Sequence, residues 1–273
     1  MTLTRRQIFQ AFKYAIYTLL TLNIFLFFFE ESAAAQLQFD GGVGLSRIIE
    51  AYASTIDTLA WVVLLLMFEL ETSLLEDHHF TKRVVLTLQT MRIATYVFIV
   101  YSFYGYIANL TFFDGVAPLA DVSDLCTLAD HWTYASGLDE FVAITSENCA
   151  AFSSATAFYQ LPGMSTVVDS TDLASNKMLA WVDVINSAVW LLIVLVLEID
   201  VRLQEHDRYL GTALKASNAS KVVMYLVLLL AAIYWGLKGD FVDFWDAFLW
   251  LVAFFFIELN VDEWRRESRA TPT

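Results

Sequence analysis

Six long apolar runs are the feature that most restricts what this chain can fold into. About 20 mostly apolar residues, at a rise of 1.5 Å per residue, are needed to cross the hydrocarbon core of a bilayer. The runs lie between charged or turn-forming residues at 12–29, 56–74, 84–110, 178–197, 222–237 and 244–259. The sequence therefore predicts an all-α, polytopic integral membrane protein with six transmembrane helices.

The composition agrees with a membrane protein and excludes two other classes. Of the 273 residues, 58% are hydrophobic and only 17% are charged, whereas soluble domains carry about 25% charged residues. Such an apolar chain can bury enough surface to offset the entropy lost on ordering. We therefore expect neither a single water-soluble core nor a disordered chain.

The basic residues predict how the helices are oriented. Lysine and arginine resist translocation across a membrane, while acidic residues have little influence. With the N-terminus inside, thirteen of the sixteen basic residues fall on the cytoplasmic side, and Arg47, Lys177 and Lys238 lie outside. We expect a multi-pass protein with both termini in the cytoplasm, in a bacterial inner membrane or a plasma membrane. Its net charge of −14 then lies mostly outside.

The first run also resembles a signal peptide. Arg5 and Arg6 precede its apolar centre, and residues 33–36 (Ala-Ala-Ala-Gln) resemble a cleavage site. The run nevertheless shares the repeat pattern of two later helices, so we expect it to be retained as a helix.

An internal repeat relates the second, fourth and sixth predicted helices. Each contains a polar residue, a Trp four positions later, a Glu eight positions after that, and a second polar residue two further on. These sets are Asp57, Trp61, Glu69 and Glu71; Asn186, Trp190, Glu198 and Asp200; and Asp246, Trp250, Glu258 and Asn260. The other three helices each carry a basic residue followed four positions later by Tyr. These pairs are Lys13 and Tyr17, Arg92 and Tyr96, and Lys221 and Tyr225.

The repeat predicts three copies of a two-helix hairpin, in parallel around an axis along the membrane normal. The predicted division is residues 1–75 for repeat one, 76–107 with 178–210 for repeat two, 108–177 for an acidic extracytoplasmic cap, 211–260 for repeat three and 261–273 for a cytoplasmic tail. In repeat three, Lys221 and Glu258 each lie about 18 residues from the turn, or roughly 27 Å along a helix. We expect both near the cytoplasmic boundary.

Charges at that depth usually pair or reach the interface. We therefore expect the repeated glutamates to face the basic residue of their own hairpin, with Lys13, Arg92 and Lys221 as partners. A three-carboxylate ring at the mouth of a central path is the functional alternative. In it, Glu69, Glu198 and Glu258, with Glu71 and Asp200 beside them, would form the transport cluster.

The same alternative places a constriction and an outer polar group above this ring. The constriction would consist of Trp61, Trp190 and Trp250, about 12 Å higher along the helices, and the outer group of Asp57, Asn186 and Asp246. Acidic rings and apolar constrictions select and gate in cation pores. The first functional hypothesis is therefore a channel or secondary transporter for cations or protons.

Two other functions remain open at this point. One is a non-conducting scaffold or accessory subunit that docks a partner membrane protein, in which the acids only form ion pairs. The other is a ligand-sensing membrane protein. A homo-oligomer is also open. The expected partner in every case is the lipid bilayer, and none of the hypotheses involves nucleic acid.

The long segment at 108–178 contains both cysteines of the chain, Cys126 and Cys149. Two cysteines in one external segment, on the oxidising side, predict a disulfide. Its aromatic residues are numerous enough for a small cap over the outer face.

Little in the sequence points to an enzyme. No zinc-protease, serine-hydrolase or nucleotide-binding motif is present, and none of the four histidines lies in a predicted span. We expect no enzymatic activity and no cofactor. Carboxylates and imidazoles in two inner loops offer ligands for Zn or Mn, although a solvated helix end is the favoured interpretation. These residues are Glu76, His78, His79, Glu205 and His206.

Overall fold

A computed structural model describes residues 5–38, 42–71, 75, 81–120, 122–155, 157–205 and 211–254. Most of these residues are helical. The helices are α1 (Arg5–Gln38), α2 (Ile48–Ala51), α3 (Ala53–Glu69), α4 (Lys82–Phe112), α5 (Cys149–Phe152), α6 (Ser170–Glu205), α7 (Thr212–Lys238) and α8, which is helical over 241–254. Each long apolar run of the sequence therefore lies in or overlaps a helix.

Four of these helices are long and apolar enough to cross a membrane. The qualifying stretches are Gln7–Gln38, Lys82–Gly115, Ser170–Asp200 and Leu214–Lys238. They belong to α1, α4, α6 and α7, and they indicate a membrane protein. Helix α3, with 17 residues, is shorter, and α8 is described only to residue 254.

Most helices extend beyond the predicted apolar runs because polar residues continue or cap them. The hydroxyl of Thr81 accepts a hydrogen bond from the backbone N–H of Val84 and caps α4. Asp169 does the same for α6, accepting from the backbone N–H groups of Thr171 and Asp172 at 2.7 and 2.8 Å. Gly239 ends α7 with φ +88°, a conformation that favours glycine. The turn that the sequence predicts in repeat three is therefore present at Gly239.

The expectation of an all-α fold is wrong for the segment between α4 and α6, which contains a five-stranded sheet. Its strands are β1 (Ala117–Pro118), β2 (Thr133–Ala135), β3 (Phe141–Ala143), β4 (Phe158–Gln160) and β5 (Thr166–Asp169). Their order in the sheet is β1-β4-β5-β2-β3, and only β2 and β5 pair in parallel. A search for 20-residue apolar runs misses strands of two to four residues.

This cap has a hydrophobic core and the predicted disulfide. Cys126 and Cys149 are bonded, with their Cα atoms 4.8 Å apart, which confirms the pairing. Nearby, the rings of Tyr134 and Phe152 stack with centroids 4.4 Å apart. The buried residues of the core are Leu125, Tyr134, Ile144, Cys149, Phe158 and Val167. The covalent link joins a 3-10 turn at Leu125–Leu128 to the start of α5 and adds stability to a core that is small for an independent domain.

The chain divides into two compact units. Unit 1 contains Met1–Asn23 and Asn186–Thr273, and unit 2 contains Ile24–Ile185. In unit 2, α4 packs against α2 and α3, and Gly105 of α4 lies against Ile49 and Ala53. A Cβ at position 105 would be 2.9 Å from the backbone oxygen of Ile49. Glycine is therefore required for this close helix approach.

Candidate functional site

Unit 1 contains a buried ion pair between residues that the sequence predicts near the cytoplasmic boundary, which we call the inner level. The Nζ atom of Lys221 in α7 lies 3.2 Å from Oδ2 of Asp200 in α6, and both side chains are almost fully buried. Ser217, one turn before Lys221, donates a hydrogen bond of 2.6 Å to the same oxygen. The carboxylate is thus held by a cation and a hydroxyl. Such pairing is how a charge is tolerated among apolar helices.

A similar ion pair is present in unit 2. A guanidinium nitrogen of Arg92 in α4 donates to Oε2 of Glu71, just after α3. Both this pair and the Lys221–Asp200 pair join residues 21 positions apart. Each links the second helix of one predicted hairpin to the first helix of the next. The second polar residue of the repeat forms these two pairs. That the repeated glutamates pair with the basic residue of their own hairpin stays a prediction.

The repeated glutamates have unlike surroundings. Glu69 is buried in unit 2. Glu198 in unit 1 is exposed and pairs with Arg202 one turn later at 3.2 Å. Glu258 lies outside the described residues. Because Glu69 and Glu198 differ so strongly in exposure, the ring of three equivalent carboxylates has no support among the described residues.

Lys13, the third predicted basic partner, is buried in α1. Its Nζ lies 5.0 Å from the centroid of the Tyr14 ring, a cation–π distance. Its role in the repeat stays a prediction.

Two of the three repeated tryptophans are in contact. The ring centroids of Trp190 in α6 and Trp250 in α8 are 6.3 Å apart in an edge-to-face arrangement. The ring centroid of Phe254 lies 4.6 Å from that of Trp190. All three side chains are buried. Trp61 is buried in unit 2. In unit 1 the predicted constriction level is therefore filled by packed aromatic rings.

Asp246 lies one turn before Trp250 and is held by neutral donors. Nδ2 of Asn23 in α1 donates to Oδ1 of Asp246 at 2.7 Å, and the Trp250 side chain donates a second hydrogen bond. The Asn23 side chain is fully buried. No basic side chain pairs with Asp246 among the described residues. This carboxylate therefore differs from Asp200 and Glu71, which each have a cationic partner.

Unit 1 also contains buried side-chain oxygens that have no hydrogen-bond partner within the described ranges. They include Oδ1 of Asn23 and Oδ1 of Asn186. Buried polar atoms are nearly always satisfied, and each exception requires an explanation. Asn186 occupies in α6 the repeat position that Asp246 occupies in α8. The predicted outer polar level is thus a place where unit 1 concentrates oxygen atoms.

The outer polar residue of unit 2 has different neighbours. Tyr106 in α4 donates to Oδ2 of Asp57 in α3 at 3.4 Å. Glu31 in α1 accepts hydrogen bonds from the backbone N–H groups of Ser54 and Thr55 at 2.8 and 3.1 Å. The hydroxyl of Thr55 donates to it as well. Glu31 therefore caps the N-terminus of α3, which has no side-chain cap of its own.

Asn23 and Glu31 are not among the residues that the repeat pattern predicts. A usable signal was present for both, because each is a polar residue in or beside the first apolar run, where polar groups usually face protein. Neither belongs to the threefold repeat. A search restricted to repeated positions passes over them.

The inner-loop metal hypothesis falls almost entirely outside the described residues. Glu76, His78, His79 and His206 are not described, and of Glu205 only the backbone is. Among the residues that the structure describes, no group of three or more His, Cys, Asp or Glu side chains could hold a metal ion. The proposed Zn or Mn site stays a prediction from sequence.

Comparison with known proteins adds no family to this description. No family model, curated protein or solved structure matches the chain significantly.

Proposed function

We propose that this chain is a membrane transport protein for protons or other cations, and that Asp246 is its principal charge-binding residue. One observation supports the proposal above all: a carboxylate buried between apolar helices, hydrogen-bonded by Asn23 and Trp250 and by no cation among the described residues. An ionisable residue in that setting is costly and usually marks an ion or proton pathway. Stability alone gives no reason to keep it.

In this proposal the charge-binding residue is Asp246 at the outer polar level, and not the repeated glutamates at the inner level. Glu71 and Asp200 already have Arg92 and Lys221 as counter-ions, so neither needs a transported cation to balance its charge. The carboxylate of Asp246 has only neutral donors. A transported cation would supply the charge that it lacks.

The accompanying topology has six spans and three hairpins. Helix α3, continued by two further helical residues to Glu71, covers 53–71, or about 28 Å at 1.5 Å per residue, which is close to the hydrocarbon thickness of about 30 Å. The apolar run that begins in α8 continues to residue 259. With these two spans both termini are cytoplasmic, as the basic residues favour.

A flux assay in proteoliposomes tests the function. The purified full-length protein is expected to move Na⁺, K⁺ or H⁺ faster than empty liposomes do, and Asp246→Asn is expected to lower that flux at least about tenfold. The matched control is Asp114→Asn, which changes an exposed acid of the cap that pairs with Lys177. Control flux should equal that of the unmodified protein.

The same assay compares the two levels. If Glu69, Glu198 and Glu258 together are changed to Gln, flux should fall less than it does in Asp246→Asn. Loss of flux in the triple variant with full flux in Asp246→Asn would restore the inner carboxylate ring and contradict our assignment.

A non-conducting scaffold is the second candidate, and the ion pairs between consecutive helices favour it. Two ion pairs, Lys221–Asp200 and Arg92–Glu71, hold consecutive helices together. A subunit that docks a partner requires such a stable helix arrangement. A folded protein that moves none of the three cations would support this candidate and reject transport.

A further inference from the structure

We propose that Asp246, Asn23 and Asn186 form a binding site for a single monovalent metal cation of the sodium type. The inference deepens the transport function and rests on it. The main observation behind it concerns the fully buried amide of Asn23. Its Nδ2 donates a hydrogen bond to Asp246, but its Oδ1 has no hydrogen-bond partner among the described residues.

The position of Asn186 follows from the packing of three helices in unit 1. Asp200, late in α6, contacts Lys221, early in α7, so these two helices run in opposite directions. Helix α7 turns at Gly239 into α8, where Phe244 packs against Gly236. Helices α6 and α8 therefore run the same way.

Contact between two tryptophans then fixes the level of the polar residues. Trp190 and Trp250 touch, and each follows its polar partner by four residues, about 6 Å of helix. Asn186 and Asp246 are consequently at one level on neighbouring helices. Asn23 is at that level too, because it is bonded to Asp246. Three helices thus place a carboxylate and two amide oxygens at one level.

The chemistry of these groups selects a hard cation. Alkali and alkaline-earth ions take carboxylate and amide oxygens as ligands, whereas transition metals prefer imidazole or thiolate. The Oδ1 atoms of Asn23 and Asn186 can only accept hydrogen bonds or bind a cation. A bound cation would satisfy both of them together with the carboxylate of Asp246.

Charge balance selects a monovalent ion. One carboxylate neutralises one positive charge, while a divalent ion would leave an uncompensated charge in a low-dielectric site. The nearest lysines of unit 1 are engaged elsewhere or distant along their helices. Lys238 lies over the Tyr234 ring at 5.7 Å, Lys221 binds Asp200, and Lys13 is ten residues, about 15 Å, from Asn23.

Direct binding of ²²Na⁺ to the purified full-length protein tests the site, with choline replacing sodium at constant ionic strength. We expect saturable binding of one Na⁺ per chain. Asp246→Asn, which keeps the shape of the side chain, should raise the Kd at least about tenfold. Asn186→Ala should raise it as well, while Asp114→Asn in the cap should leave it unchanged. The thermal unfolding midpoint of each variant in choline checks that it is folded.

The outcomes separate the site from the transport function. Sodium binding that is equally strong in Asp246→Asn, or no sodium binding with proton flux retained, would overturn the site and leave transport standing. Sodium binding that Asp246→Asn weakens, in a protein that moves no cation, would support the site and reject transport. Protection of the unmodified protein by Na⁺ against thermal unfolding, absent in Asp246→Asn, would support the site independently.

Discussion

Lys221 and Asp200 show at the scale of single residues how a charge is kept inside apolar helices. Their side chains are 11% and 4% exposed, whereas those of Arg202 and Glu198 are 72% and 55% exposed. Removing one partner of a buried pair leaves an uncompensated charge, while an exposed pair contributes little because water solvates both groups. The acidic residues of both pairs lie on α6, two residues apart, so the two pairs make a matched comparison.

Lys221→Met should lower the free energy of unfolding by about 3 kcal/mol, because the buried carboxylate of Asp200 then loses the ammonium group of Lys221. Glu198→Gln should change it by less than about 1 kcal/mol. Reversible unfolding in mixed micelles measures both variants. Equal effects would show that the Lys221–Asp200 pair is not buried as described. The double change Lys221→Asp with Asp200→Lys should recover part of the loss.

Tyr134 in the cap provides a pH-dependent test. Its hydroxyl donates to Oδ2 of Asp172 at 2.7 Å, and burial, followed by this hydrogen bond and the charge of Asp172, raises the pKa of Tyr134 well above its usual value. A raised pKa in the folded state stabilises the fold below the ordinary tyrosine pKa of about 10. That stabilisation is lost as the pH rises above about 10.

We therefore expect the cap to lose stability above about pH 10 in the unmodified protein. The Tyr134→Phe variant should be less stable at neutral pH by about 1 kcal/mol and less sensitive to alkaline pH. Near-ultraviolet absorbance follows tyrosine ionisation, and thermal unfolding follows stability. Identical alkaline profiles of the two proteins would contradict the account of this hydrogen bond.

At the scale of elements, helix positions follow from hydropathy, while the sheet does not. Apolar runs locate α1, α4, α6 and α7 because a membrane requires long helices with satisfied backbone groups. The ends were harder to place: α6 begins at Ser170, eight residues before the predicted run, because Asp169 caps it. The strands of the cap have two to four residues, and two of their four pairings, β1 with β4 and β2 with β5, join residues more than 30 positions apart, so local sequence patterns do not reveal the sheet.

The close approach of α4 to α2 and α3 gives a prediction about packing. Gly105→Leu should destabilise the protein by about 1–3 kcal/mol, because backbone and side-chain atoms of Ile49 occupy the space the new side chain needs. Gly44→Ala is the control, since nothing lies within 4 Å of a Cβ at that position. Thermal unfolding in nanodiscs measures both. An unchanged midpoint for Gly105→Leu would contradict the described helix contact.

At the scale of the whole molecule, the predicted repeat does not give the partners of all its polar residues. Trp190 and Trp250 make contact, as repeated positions on neighbouring helices can. The partners of Arg92 and Lys221, by contrast, are Glu71 and Asp200 across the boundary between predicted repeats. The spacing of residues in the sequence gives their positions along a helix. The choice of an ion-pair partner also depends on which helices are neighbours, and spacing carries no information about that.

The proposed function rests on the outer level of unit 1. Asp246 and Asn186 are repeat positions, and the structure adds Asn23, which belongs to no repeat. The account depends on this level binding a cation within the membrane. Movement of an ion to a buried carboxylate displaces charge relative to the bilayer, so binding itself is electrically detectable.

A sodium-concentration jump on proteoliposomes adsorbed to a solid-supported membrane measures that displacement most directly. The account predicts a transient current in the unmodified protein, the same current in Asp114→Asn and none in Asp246→Asn. No current in the unmodified protein, or an undiminished current in Asp246→Asn, would contradict it.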